Sequence, residues 1–285
     1  PPTTNNKRTH IYVLDQAIRG YFPNTSLIHN DLVHVKAPDA HPDDHVHFRT
    51  DIDETIRNSL ACTIHGTAVA GVIAGARTGV ARNSLLHSYA VFDCQSPAVS
   101  DTFQIKFALN RILEKHHENY PNERAIINLS ALTVGSVELV QLIRDLAAQN
   151  IIMIAPMGNR GVEGCQGHLS IPETIAVGAS GSRDTSDGIP VDIDAREEFS
   201  NYGTCTDIYA PGSSVTTTAA ASPSSLSTET GVSFASAFVT GVVATYLEQN
   251  PTASMATVLS AIKSNASLNK ISNVPEQGGD NDLLN

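Results

Sequence analysis

The sequence predicts an α/β fold of three layers, a mostly parallel sheet flanked by helices. Short apolar runs without strict alternation read as strands buried on both faces. They alternate along the chain with segments of helical length, the pattern of strand–helix–strand units. Two of those helical segments, around Gly66 and around Ser233, carry small and apolar residues and read as buried,. With 285 residues and 41% hydrophobic content, the chain has material for a sizeable core and reads as a single domain over 1–285.

In order, residues 1–9 are polar and read as a loose arm. His10 to Asp15 (HIYVLD) is the first strand and ends on a carboxylate. Residues 16–60 form a polar His- and Asp-rich insertion within the domain, with His29, His34, His41, His45 and His47. The run His41-Pro-Asp-Asp-His45-Val-His47 could hold a transition metal, but it lacks a fixed ligand spacing, and a solvated insertion is the simpler reading. Thr63 to Gly75 is a buried helix opening near His65. Leu86 to Phe92 is a strand, Asp101 to Lys115 an amphipathic helix, Ala125 to Leu129 a strand and Val137 to Gln149 a helix. Ile151 to Ala155 is a further strand, running into Pro156-Met157-Gly158-Asn159. Ile175 to Val177 and Ile208 to Tyr209 are shorter strands, and Ser180 to Glu198 is loop. The helix at Ser233 and a last one from Ala256 to Ser264 complete the chain, and no internal repeat is evident.

A net charge of −11 argues against nucleic acid or an anionic membrane surface as partner. No run is long enough to span a bilayer. There is no initiator Met and no signal-peptide pattern, so a processed chain is expected. The four cysteines, Cys62, Cys94, Cys165 and Cys205, lack a C-x-x-C pair, which disfavours zinc, and can pair in more than one way. Asn24-Thr-Ser26, Asn128-Leu-Ser130 and Asn265-Ala-Ser267 fit the glycosylation pattern, the middle one within a predicted buried strand,.

In open parallel sheets functional groups gather beyond the carboxyl ends of the strands. Asp15 and Asn159 lie at or just past such ends, and His65 and Ser233 each lie at the start of a helix. Four polar residues far apart in sequence can therefore converge on one edge. Taken alone, Ser233 reads as an N-cap. With Asp15 and His65 ahead of it, in that order, it matches one of the orders that Asp-His-Ser triads take.

The motifs then carry a resemblance. HIYVLD, His65-Gly-Thr-Ala-Val-Ala-Gly-Val-Ile-Ala-Gly75, Gly158-Asn-Arg-Gly161 and Gly231-Val-Ser-Phe-Ala-Ser-Ala-Phe-Val-Thr-Gly-Val-Val-Ala244 follow one another. Phe199-Ser-Asn-Tyr-Gly203 and Asp207-Ile-Tyr-Ala-Pro-Gly212 agree with them. The chain resembles the subtilisin-like serine endopeptidases, in their proteinase K-like branch, over roughly residues 10–250. The resemblance implies a secreted endopeptidase that works through an acyl-enzyme without a catalytic cofactor. Ser233 is the implied nucleophile, His65 its base, Asp15 the group that orients His65, and Asn159 an oxyanion donor. Ser130, Ala131 and Leu132 are the implied edge for an extended peptide or protein substrate, and Pro156, Met157 and Gly158 the wall of the primary pocket. The implied disulfides are Cys62–Cys94 and Cys165–Cys205, which point to an oxidising compartment. Asp207, with the carbonyls of Pro172 and Thr174, is the implied structural calcium site. The family is made as a zymogen, so the chain's own N-terminal prodomain, absent here, is an implied chaperone and inhibitor. A monomer is expected.

The chain departs from the family where glycines usually stand: it has Leu132 and Thr133. That narrows the expected groove, and with Pro156 and Met157 it predicts restricted specificity. Gln16-Ala17 replaces the usual Thr/Ser-Gly after the Asp, Val232 replaces a Thr before the nucleophile, and Ala237-Phe238 replaces Pro-His. A pseudo-protease with an obstructed groove is the rival reading. An α/β-hydrolase, hinted at by Gly231-Val-Ser233-Phe-Ala235, requires a different triad order.

Overall fold

A computed structural model of the chain describes residues 8–19, 30–32, 60–92, 102–131, 136–181, 194–276 and 278–285. The buried apolar runs form β1 (Thr9–Asp15), β2 (Leu85–Ala90), β3 (Arg124–Leu129), β4 (Ile152–Pro156), β5 (Thr174–Ser180) and β6 (Ile208–Pro211). They pair in parallel in the order β2-β1-β3-β4-β5-β6. All of β1 and β5 is buried, as strands covered on both faces must be. The helices are α1 (Ile64–Ala74), α2 (Thr102–Asn119), α3 (Val137–Ala148), α4 (Val232–Gln249) and α5 (Met255–Asn265).

The direction of the crossovers places these helices. From β1 the chain moves outward through α1 to β2, then returns past β1 to β3 and continues the other way. Crossovers keep one hand, so a reversal of direction puts the next helices on the opposite face. Accordingly α1 packs against α4, and α2 packs against α3. The helices on the first face are apolar all round: α1 is buried from Gly66 to Ala74, and α4 lies under β1, β3, β4, β5 and β6. The second pair is amphipathic, burying Ile105, Ala108, Leu109 and Ile112 from α2 and Leu139, Leu142, Ile143 and Leu146 from α3. Each Ile and Leu among these contributes about 1.5–3 kcal/mol when fully buried. Ser136 caps α3, its hydroxyl accepting from the Leu139 N–H at 3.1 Å. Among the described residues no helix is long and apolar enough to cross a membrane.

Three features differ from the sequence expectation. An antiparallel hairpin, β7 (Val215–Thr218) and β8 (Leu226–Glu229), precedes α4. The polar runs Val-Thr-Thr-Thr and Leu-Ser-Thr-Glu carry little hydrophobic signal. Second, the segment 16–60 is not all surface: Ala17, Asp31 and Leu32 are buried. Asp31 accepts hydrogen bonds from the Arg77 N–H and the Thr218 hydroxyl, and its carboxylate pairs with the Arg77 Nε at 3.1 Å. Burial alone would raise its pKa, but the bonds from Thr218 and Arg77 and the Arg77 charge hold it below the usual value. Residues 20–29 and 33–59, including His29, His34, His41, His45 and His47, lie outside the described residues. Third, α2 runs to Asn119.

Cys165 and Cys205 form a disulfide with their Cα atoms 5.6 Å apart, closing 40 residues of chain. Cys62 is also disulfide-bonded, and Cys94 lies outside the described residues. Closing a loop of this size should stabilise by about 4 kcal/mol on chain-entropy grounds. Replacing Cys165 and Cys205 together by serine is expected to lower unfolding free energy by roughly 2–4 kcal/mol in urea titrations. An unchanged midpoint and slope would show that the bridge contributes nothing.

Candidate active site

The direction of chain connection reverses between β1 and β3, the place where open parallel sheets gather functional groups at their carboxyl end, and Asp15 is the last residue of β1. Its carboxylate is fully buried and faces the His65 ring. His65 Nδ1 lies 2.7 Å from one carboxylate oxygen and 2.9 Å from the other. The Gln16 N–H donates to Asp15 Oδ1 at 2.5 Å. His65 is the second residue of α1 and stays 35% exposed at its side chain. Burial lowers its pKa, but the charge and hydrogen bond of Asp15, with the charge of Glu229, carry it above the ordinary 6.5.

Ser233 is the second residue of α4 and 6% exposed. The N-cap of that helix is Gly231, not Ser233, so the simple capping reading does not hold. The His65 ring lies 5.5 Å from the ring of Phe234, the residue after Ser233. Asn159 sits in the turn after β4, where Gly158 takes a φ of 104° that disfavours any side chain,. Asn159 Oδ1 accepts from the Val232 N–H at 2.9 Å, against the residue before Ser233. Asp15, His65, Ser233 and Asn159 are thus brought to one end of the sheet by four separate elements.

Ser130 and Ala131 follow β3 at the same end, the Ser130 N–H donating to the Leu14 carbonyl at 3.1 Å. Leu132 and Thr133 lie outside the described residues. Pro156 ends β4. Met157 turns inward, its sulfur 3.9 Å from Cys205 Sγ, and Gly158 follows it.

Asp207, Pro172 and Thr174 stand apart from this group. Asp207 and Thr174 lie where β6 and β5 begin, at the opposite end of the sheet. Asp207 Oδ2 accepts from the Ala176 N–H at 2.9 Å, and the Lys263 ammonium lies 3.8 Å from Oδ1. Burial raises the pKa of Asp207, partly offset by these two partners.

Two supporting residues lack a distinct sequence signal of their own. Asn201, inside the Phe199–Gly203 signature, holds the Asn159 turn: its side chain accepts from Arg160 and Val162 N–H groups and donates to the Met157 carbonyl. Asn128 in β3 is buried, so its glycosylation pattern is out of reach. Its amide donates to Thr240 at 2.9 Å, its oxygen accepts from Ser130 at 3.1 Å, and Ser236 beside it donates to the Ser233 carbonyl.

Comparison with known proteins bears on the family and the fold. A profile of the subtilase family matches residues 6–283. The extracellular serine proteinase of Thermus sp. (strain Rt41A) is 32% identical over 74% of this chain and 48% of its own length. Proprotein convertase subtilisin/kexin type 9 of Mus musculus is 30% identical over 70% of this chain and 28% of its length. Alkaline serine exoprotease A of Vibrio alginolyticus is 30% identical over 78% and 38%. The chain therefore spans half or less of these relatives. In structure it is similar to a cold-adapted subtilisin-like serine proteinase, with a TM-score of 0.75 at 23% identity, covering 98% of this chain and 89% of that one. The sequence motifs, the parallel sheet and the family match lead to one assignment: the chain belongs to the subtilase family of serine peptidases.

Proposed function

We infer that this chain is the catalytic domain of a secreted serine endopeptidase of the proteinase K-like branch. It hydrolyses peptide bonds through an acyl-enzyme and has a restricted specificity. The observation that carries the reading is the buried Asp15 carboxylate 2.7 Å from His65 Nδ1, with the His65 ring 5.5 Å from the ring of Phe234, the residue after Ser233. A proton on Nδ1 shared with Asp15 leaves Nε2 with its lone pair, the form a base needs. Ser233 Oγ attacks the scissile carbonyl carbon while its proton passes to Nε2. The same proton then goes to the leaving amine, and water repeats the sequence to release the acid. The developing oxyanion meets first-turn N–H groups of α4 and the Asn159 amide nitrogen, whose partner oxygen is already taken by Val232,. An extended substrate adds as a strand along Ser130 to Leu132, backbone bonds bringing affinity and pockets selectivity.

The Cys165–Cys205 disulfide and a relative named extracellular support an oxidising, extracellular setting,. Synthesis with an N-terminal prodomain, and action as a monomer, complete the reading. Restricted specificity rests on Leu132 in place of glycine; Pro156 and Met157, expected as pocket wall, are buried, with Met157 packed against Cys205. Calcium at Asp207 fits poorly. The ion takes about 6–8 oxygens, whereas one Asp207 oxygen is bonded to Ala176 and the other faces the Lys263 ammonium. Among the described residues no cluster of three or more His, Cys, Asp or Glu could hold a metal. As arranged, these donors do not fit calcium.

The test is reaction of the folded chain with a fluorophosphonate, then digestion of a diverse peptide library. Labelling, with internal cuts confined to few side chains before the bond, is expected. Broad cutting would remove the restricted specificity, and a folded chain that does not label would be a binding module. The state of His65 adds a pH prediction. It acts as base only when neutral, and its pKa is raised above 6.5. Activity, as kcat/KM, should therefore climb with pH through an acid limb above 6.5,. A limb below that value would show that burial outweighs the pull of Asp15 and Glu229 on the imidazole.

A further inference from the structure

Gln16 stands where the resemblance expects a short hydroxyl residue, and it makes two bonds to the candidate triad. Its backbone N–H donates to Asp15 Oδ1 at 2.5 Å. Its side-chain Oε1 accepts from the backbone N–H of His65 at 3.0 Å. The second bond meets a specific need. The first N–H groups of a helix have no partner within it, and Thr63, the N-cap of α1, makes no side-chain cap bond. Gln16 supplies that acceptor from a neighbouring element. Gln16 as a residue is 9% exposed, so the bond is largely shielded from competing water.

The surrounding packing leaves little slack. A Cβ on Gly66 would lie 2.1 Å from the Gln16 carbonyl oxygen, so the first turn of α1 touches the backbone that follows β1. The Arg19 N–H donates to the Thr67 hydroxyl at 2.8 Å, a second tie between the same two segments. Asp15 reaches the imidazole from β1, and His65 presents it from α1. The relative position of the two groups is therefore the relative position of two elements, and the Gln16 side chain is a direct link between them beside the imidazole.

We propose that Gln16 is the positioning residue of the Asp15–His65 pair, its N–H orienting the carboxylate and its side-chain oxygen anchoring the helix that carries the imidazole. This deepens the protease reading and rests on it. Gln16 touches no substrate; it acts through His65 and Asp15. An error of about 1 Å in a reacting group can lower turnover on the order of 10²-fold. Removing the acceptor should therefore be felt in kcat rather than KM.

The experiment compares wild type with Gln16→Leu and Gln16→Glu, each rate normalised to active sites titrated with a fluorophosphonate. Gln16→Leu keeps the backbone N–H and loses the side-chain acceptor. It is expected to lower kcat by about 10- to 100-fold while KM stays within about twofold of wild type. Gln16→Glu keeps an acceptor oxygen at the same reach and should recover most of that rate. Its added charge, joining Asp15 and Glu229 around His65, should move the acid limb to higher pH. A merely structural Gln16 would change melting temperature and the titrated fraction but leave normalised kcat and the acid limb at wild-type values, and that result would overturn the proposal. A readout without turnover separates this from failure of the protease reading. On a Ser233→Ala background, the His65 Nδ1 proton is followed by NMR with and without Gln16→Leu. Faster exchange with water and a shifted resonance support the positioning role. An unchanged signal overturns it, even if the wild-type chain proves inert to the fluorophosphonate.

Discussion

Ser233→Ala is expected to lower turnover on the order of 10⁶-fold, a scale taken from the family's namesake rather than derived from this chain. The substitution removes one oxygen and adds nothing. Ser233 lies in the first turn of α4 without serving as its cap, and alanine is the better helix former. The folded state should therefore persist with a melting temperature close to wild type. What disappears is the oxygen proposed above to form the ester bond of the acyl-enzyme. His65 and the oxyanion donors remain, so a small residual rate above that of water should survive. The measurement pairs kcat on a peptide substrate with fluorophosphonate labelling. A variant that still labels, or that keeps more than about a hundredth of wild-type turnover, would move the nucleophile elsewhere.

Asp15→Asn should follow, lowering kcat by about 10⁴-fold, the cost of fixing the wrong imidazole tautomer in a related triad. Asparagine matches the shape and can still accept from the Gln16 N–H with its oxygen. Its NH2 group would then face His65 Nδ1, which must become the acceptor. The ring proton moves to Nε2, the nitrogen that should take the Ser233 proton. The same change removes a negative charge that raises the His65 pKa. The remaining activity should therefore show its acid limb at lower pH than wild type. Near-wild-type turnover in a correctly folded Asp15→Asn chain would mean that orientation of His65 does not depend on this contact.

The parts of the site legible in sequence are those written in one continuous stretch. His65 and Ser233 each sit in a motif whose small residues have a local cause, the close packing of α1 and α4, and Asp15 ends an unbroken apolar strand. Strands were legible because burial on both faces leaves an unbroken apolar run, as in Ile151 to Ala155. Contacts that join distant stretches through polar side chains were not. The Thr218 hydroxyl bonds Asp31 across 187 positions, and neither residue carries a pattern that announces the other. For that reason Asp31 reads as one more acid in a polar insertion, although it is buried in the core. Gln16 shows the same limit. Its departure from the usual residue is visible in sequence, but the direction of its side chain depends on where α1 lies. The β7–β8 hairpin was hidden because its threonines and serines, buried at Thr217 and Thr218 and more exposed in β8, give neither a clear alternation nor a hydrophobic run.

The path of α4 beneath the sheet also bears on how this chain folds. Residues 232–249 are the shared floor of β1, β3, β4, β5 and β6, yet they leave the ribosome after all of those strands. Until they emerge, much of one sheet face has nothing to pack on, and β1 waits for a contact more than 200 residues away, such as the Thr9 hydroxyl on the Ala244 carbonyl. Contacts so distant in sequence make folding slow, because loop closure must be completed before burial rewards it. An exposed parallel sheet in the interval invites aggregation. The same arrangement runs in reverse for the finished molecule. With the nucleophile helix enclosed at the centre, opening any strand from its neighbours disturbs the core as a whole. The native chain should therefore unfold slowly, and its lifetime against added protease should be governed by that rate rather than by equilibrium stability alone.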